Sequence, residues 1–156
     1  MKSARRTTSR PNSKYRGLHP VAVALVRKSI REDVTRLERS ANLQAWASNH
    51  AANLVNLSGR LAYIVGHAAS ACQVDADHPD MRILRGMGEA IGDLAQDFDA
   101  IEQHRPAILS GCAAIGRLLP HCNDWALGLA AVELDQLLAS SEGMGTSDLR
   151  RAMGVK

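Results

Sequence analysis

The chain has 156 residues, 46% of them hydrophobic but only 3% aromatic, and a formal net charge of +3. That length suits one domain with a sizeable core, and the Leu- and Ala-rich, aromatic-poor content favours helices over sheet. No run approaches the ~18 apolar residues of a membrane span. The three cysteines, Cys72, Cys112 and Cys122, are odd in number and follow no secretory pattern, which predicts reduced thiols in a cytoplasm.

The charge is unevenly spread. Residues 1–39 carry eleven Lys and Arg against three acidic residues, while the remainder has a net charge of −5. Residues 1–18 mix Arg and Lys with Ser, Thr, Pro, Asn and Gly and have no apolar period, so they read as a flexible basic arm. Such a head expects an anionic partner, although it also serves solubility or docks on the acidic body. The candidate nucleic-acid contacts are Arg5, Arg6, Arg10, Lys14, Arg16, Arg27, Lys28 and Arg31. Tyr15 alone is no stacking platform, so any such contact is expected to ignore sequence.

His19-Pro20 opens the first predicted helix, with Val23, Val26, Ile30, Val34 and Leu37 on its apolar line. The phase slips at Ser40-Ala41-Asn42. A break with Asn42 as the next N-cap is expected, the alternative being one long helix with a stammer. The second helix carries an unbroken seam: Leu43, Ala47, His50, Leu54, Leu57, Leu61, Ile64, Ala68 and Ala71. It should end near Cys72, before the polar loop Asp75–Pro79, with Pro79 as the stop. Around the same helix runs a polar line of Asn49, Asn53, Asn56, Arg60, Tyr63 and His67. Asn is a poor helix-interior residue, so the line reads as a partner-binding surface, as an interface that sets register, or as a solvated face. His50 reads as a hydrogen-bonded core histidine.

Asp80 is the expected N-cap of the third helix, whose seam is Leu84, Met87, Ile91, Leu94, Phe98 and Ile101. Gly88, Gly92 and Ala95 flank that seam and predict a closely approaching helix. Gly86 to Gly92 does not follow a strand and lacks the Lys-Ser/Thr of a phosphate loop, so it reads as packing. Glu89, Asp93 and Asp97 stand at helical spacing opposite the seam, where carboxylates are solvated and do no acid–base work. Pro106 fits the first position of a fourth helix with Ile108, Cys112, Ile115 and Leu119 inward, and Pro120 ends it. Asn123 or Asp124 caps a fifth helix, Trp125 to about Ala139, whose apolar circumference predicts central burial. Ser140 to Gly145 is a turn, after which Thr146 or Ser147 caps a short last helix ending at Gly154.

There is no strand signal and no internal repeat. The prediction is an all-α bundle of five or six helices over residues 19–156, preceded by the arm. None of Cys72, His78, Cys112, His121 and Cys122 has zinc-ligand spacing, no Glu-x-x-His pair exists, and no cofactor is expected.

The tail Gly143-Met-Gly-Thr-Ser-Asp-Leu-Arg-Arg-Ala-Met-Gly-Val155 resembles the first half of a Fis-type helix-turn-helix. A glycine turn, a capped short helix with Ala152 inward and a Gly-Val turn carry the likeness. That family places a recognition helix next. Here only Val155 and Lys156 follow, so the resemblance implies no DNA-contacting residue.

These readings converge on a cytoplasmic, bacterial, non-enzymatic regulatory or accessory module. It is expected to dock on nucleic acid or an acidic protein surface through its basic head, with homodimerisation along the second helix as a further expectation and no membrane partner. The alternative is a protein–protein adaptor or inhibitor, of the kind a mobile element or phage encodes, binding through Asn49–His67.

Overall fold

The first apolar line is realised as α1 (Pro20–Asn42), which buries Val23, Ile30 and Leu37 and half-buries Val26 and Val34. A computed structural model describes the backbone of residues 18–42 and 51–140, and the side chains of these except 41–42 and 51–53. The elements that follow are α2 (Ala51–Ala71), α3 (Pro79–Gln96), a 3-10 turn (Phe98–Ala100), α4 (Ile101–Leu118), a second 3-10 turn (Leu119–His121) and α5 (Asp124–Ser140). The described residues form an all-α bundle without strands. The arm, the join between the first two helices, His50 and the helix-turn-helix-like tail lie outside the described residues.

Side-chain anchors give the register. α2 and α3 run antiparallel, since Gly66 faces Leu84 and Gly59 faces Ile91. α3 and α4 do likewise: Met87 packs on Gly111, and Asp80 meets Arg117 at 2.8 Å. α5 is antiparallel to both α1 and α2, through Arg27–Asp124 and Val23–Gly128 on one side and Arg60–Asp135 on the other. α2 is the central rod and touches all four other helices. Its seam therefore widens beyond one stripe: Val55, Ser58, Val65 and Ala69 are buried along with Leu54, Leu61, Ile64 and Ala68. Ser58 is fully enclosed, and its hydroxyl donates to the Leu54 carbonyl at 2.7 Å, so its burial leaves no unmade bond.

The structure corrects several local expectations. Pro79 is not a stop but the first residue of α3, where its missing N–H costs nothing. The N-cap is His78, whose Nδ1 accepts from the Asp80 N–H at 3.2 Å, and not Asp80. The third seam does not run through to Ile101. Asp97 is extended at φ −148°, and its carboxylate accepts the Asp99 N–H at 3.0 Å. That local bond competes with helix continuation, so the chain reverses. Phe98 is left 41% exposed, and Ile101 is buried as the start of α4. Pro106 lies inside α4, not at its first position. It forfeits one bond, to the Glu102 carbonyl, on a turn where both residues are exposed. Asn123 caps α5, with its Oδ1 accepting the Ala126 N–H at 2.7 Å. α5 is one-sided and not central: Leu127 and Leu134 are buried, but Val132 and Leu138 are each more than a third exposed.

Asp80 earns its burial elsewhere. The hydrogen bond from Arg117 holds its carboxyl below the usual carboxylate range. A lowered folded-state value means that the ionised form favours folding, a contribution present above the unfolded value of ~3.9 and lost as pH falls below it. Arg117 is half exposed, so solvent screens the pair and its contribution is small. Asp80→Asn is expected to lower Tm by roughly 2–4 °C at pH 7. Thermal scans should show that gap closing as pH falls below about 4. A gap unchanged by acid would show that the pair contributes nothing.

Candidate interaction faces

α1 offers its outer side. Lys28, Arg31, Arg36 and Arg39 are exposed on it, over a rise from Lys28 to Arg39 of about 16 Å. Lys28 is only loosely paired with Glu32 (3.8 Å), and Arg36 with Asp33 (3.6 Å). Arg31 and Arg39 make no ion pair among the described residues. Val21 and Leu25 stand 61% and 57% exposed at the start of the same helix.

Arg27 does not belong to this face, contrary to its assignment from sequence. Its Nε meets Asp124 at 2.8 Å, and its two terminal nitrogens donate to the carbonyls of Leu119 and Cys122. The guanidinium fork is used up clasping the turn before α5. A basic residue in a basic helix carries no local mark of such a partner 97 positions away. Arg5, Arg6, Arg10, Lys14 and Arg16 lie outside the described residues.

The polar line of α2 is only partly a surface. Asn49 lies outside the described residues, and Asn53 is described in backbone alone. Asn56 is exposed, and Arg60 is exposed but ion-paired with Asp135 at 2.9 Å. Tyr63 is 9% exposed and therefore largely core. Its ring stacks on His67, with centroids 4.0 Å apart and planes 24° from parallel. Burial, then the Glu133 carboxylate, push the Tyr63 hydroxyl above its ordinary value. Burial lowers His67, with Glu133 opposing, so the imidazole is neutral at pH 7.

Tyr63 and His67 line a groove of about 330 Å³ between α2 and α3. Gly59 and Gly66 leave space on the α2 side, and Leu84 and Ile91 form the α3 wall. Sequence reasoning missed that wall. The signal was the seven-residue spacing of Gly59 and Gly66, which opens a slot along one helix edge.

The carboxylates singled out on the third helix form no sequestered pair. Glu89 is exposed, the Asp93 side chain is 56% exposed with His104 Nε2 at 4.0 Å, and Asp97 is committed to its turn.

Chemically reactive groups gather at one end of the bundle, where α2 ends and α5 begins. Cys72 Sγ accepts from both the backbone N–H and the Nδ2 of Asn123, at 3.4 and 3.5 Å. Cys122 is buried and donates to the Leu118 carbonyl at 3.5 Å. Burial pushes its thiol up to about 11, and that of Cys112 to about 12. The rings of His78 and His121 lie 6.3 Å apart. Among the described residues no three His, Cys, Asp or Glu side chains are placed to hold a metal ion, and no helix is long and apolar enough to cross a membrane.

No family model, curated protein or solved structure matches this chain.

Proposed function

We propose that this protein is a binding module that docks on nucleic acid by charge, through the arm and the outer face of α1. The observation that carries the reading is the exposed row Lys28, Arg31, Arg36 and Arg39, directly following a segment with six further basic residues. Beside it, the rest of the chain is net acidic, which orients the head toward a polyanion. Each Lys or Arg that neutralises a phosphate releases a counterion, so affinity rests on salt and not on base identity.

The test is titration of heterogeneous-sequence duplex DNA with the full chain. Four phosphate contacts would weaken binding roughly a hundredfold between 50 and 200 mM salt. Replacing Lys28 and Arg31 by Glu should lower affinity at least tenfold at 50 mM salt without altering the helical circular dichroism. No binding at low salt rejects the proposal.

A second reading, a protein–protein adaptor, is favoured by one observation: the Tyr63–His67 stack borders an open, largely apolar groove. Loss of a protein partner on His67→Ala and Arg85→Ala, both on the groove lining, with DNA affinity unchanged, would assign binding to that groove instead.

A further inference from the structure

We propose that Cys72 and Cys122 form a reversible disulfide when the folded protein meets a peroxide, tying the end of α2 to the start of α5. The inference is independent of what the basic head binds.

The three thiols occupy different stations. Cys112 sits inside α4, 1% exposed among core side chains. Cys72 is half-buried and within reach of solvent. Cys122 is 4% exposed and immediately beside it. The separation is bounded by one observed contact and by covalent geometry. Cys72 Sγ lies 3.4 Å from the Asn123 nitrogen. That nitrogen is two bonds from the Cys122 Cα, so the sulfur is within about 6 Å of it. Cys122 Sγ now points to the Leu118 carbonyl, held by one long S–H···O contact. Rotation about its Cα–Cβ bond to another staggered well is the movement that would carry it toward Cys72.

What movement remains falls on turns, not helices. Cys72 follows the last residue of α2, and the next residue, Gln73, has φ 68°. Cys122 follows the 3-10 turn and precedes the α5 cap. Asn123 grips Cys72 through two N–H groups and holds its sulfur at the spot where the partner arrives. Disulfides in reducing compartments are characteristically transient, catalytic or redox-sensing, and an accessible thiol next to a resolving cysteine is an arrangement sensors use.

The chemistry balances with peroxide as the oxidant. The Cys72 sulfur attacks a peroxide oxygen, the O–O bond breaks, and the departing hydroxide leaves as water after taking a proton. Cys72 is then a sulfenic acid. The Cys122 sulfur attacks the Cys72 sulfur, the S–O bond breaks, and the hydroxyl leaves as water with the Cys122 proton. Two thiols lose two electrons and two protons, and peroxide is reduced to two waters.

The experiment treats the folded full-length chain with equimolar hydrogen peroxide, records the intact mass, then removes the peroxide, denatures and alkylates the chain and maps its peptides. The expected product is monomeric, about 2 Da lighter before alkylation, alkylated only at Cys112, and reversed by dithiothreitol. Its Tm should rise by several degrees, because the bond closes a long loop in the unfolded chain. Cys112→Ser should still form it, and Cys72→Ser should not. The wild-type peptide map decides even where a Cys122 variant folds poorly. A product stalled at Cys72 sulfinic acid, an intermolecular dimer, or a bond formed only in urea would overturn the proposal.

Discussion

Gly111→Ala is expected to destabilise the fold by about 2 kcal/mol net, although alanine is the better helix former by ~1 kcal/mol. A Cβ on Gly111 would stand 2.7 Å from the Met87 Cβ and 2.6 Å from its Cγ. The Met87 Cβ is fixed to backbone and cannot swing aside, so α3 itself must retreat from α4. This is the most extensive helix pair of the bundle, with Met87 and Gly111 both buried at its centre. Gly116→Ala is the matched control on the same helix: it is exposed, and nothing lies within 4 Å of its would-be Cβ. There only the backbone effect operates, and a gain of about 0.5–1 kcal/mol is expected. Urea unfolding of the two variants should move the midpoint in opposite directions. Equal shifts would refute the packing of α3 on α4.

Arg27→Met is expected to cost about 3 kcal/mol, the larger of the two effects. Methionine keeps most of the apolar stem but removes three donors. The Cys122 carbonyl belongs to a residue 4% exposed and is stranded with little access to water, whereas the Leu119 carbonyl loses its charged donor but keeps the Cys122 N–H at 3.1 Å. Asp124 is different: its side chain is 47% exposed, and it resolvates. Hence the ion pair is the minor part. A double-mutant cycle of Arg27→Met with Asp124→Asn should give a coupling below about 1 kcal/mol, leaving most of the loss with the carbonyls. Coupling equal to the whole loss would reverse that apportionment. Arg27→Lys should recover less than half, since one ammonium cannot span three acceptors set apart.

Arg27 also marks where reading the chain alone ran short. It was grouped with Lys28 and Arg31 because the three share a basic helix. Lys28 and Arg31 are exposed, whereas Arg27 reaches back across the bundle. Tyr63 was placed on a polar line by its spacing from Asn56 and Arg60. It is largely buried because α3 and α5 flank α2 on both sides and narrow the exposed strip. The spacing of Phe98 and Ile101 continued a seam that the chain had already left, since apolar period persists through a reversal when both arms face one core. Pro106 was read by its preference for a helix start, and an exposed turn tolerated it instead.

All five described helices could be drawn from apolar content and their caps or breakers, the fourth with too late a start, because a recurrence of about three and a half residues has one packed solution, a rod with one face inward. Which rod sits in the middle, which glycine a neighbour presses against, and which arginine or cysteine meets a partner fifty or more residues away were decided by tertiary packing alone. Those pairings are set by how rods of given length and small-residue placement nest together. The free energy of nesting depends on all of them at once, so no single stretch of the chain encodes it.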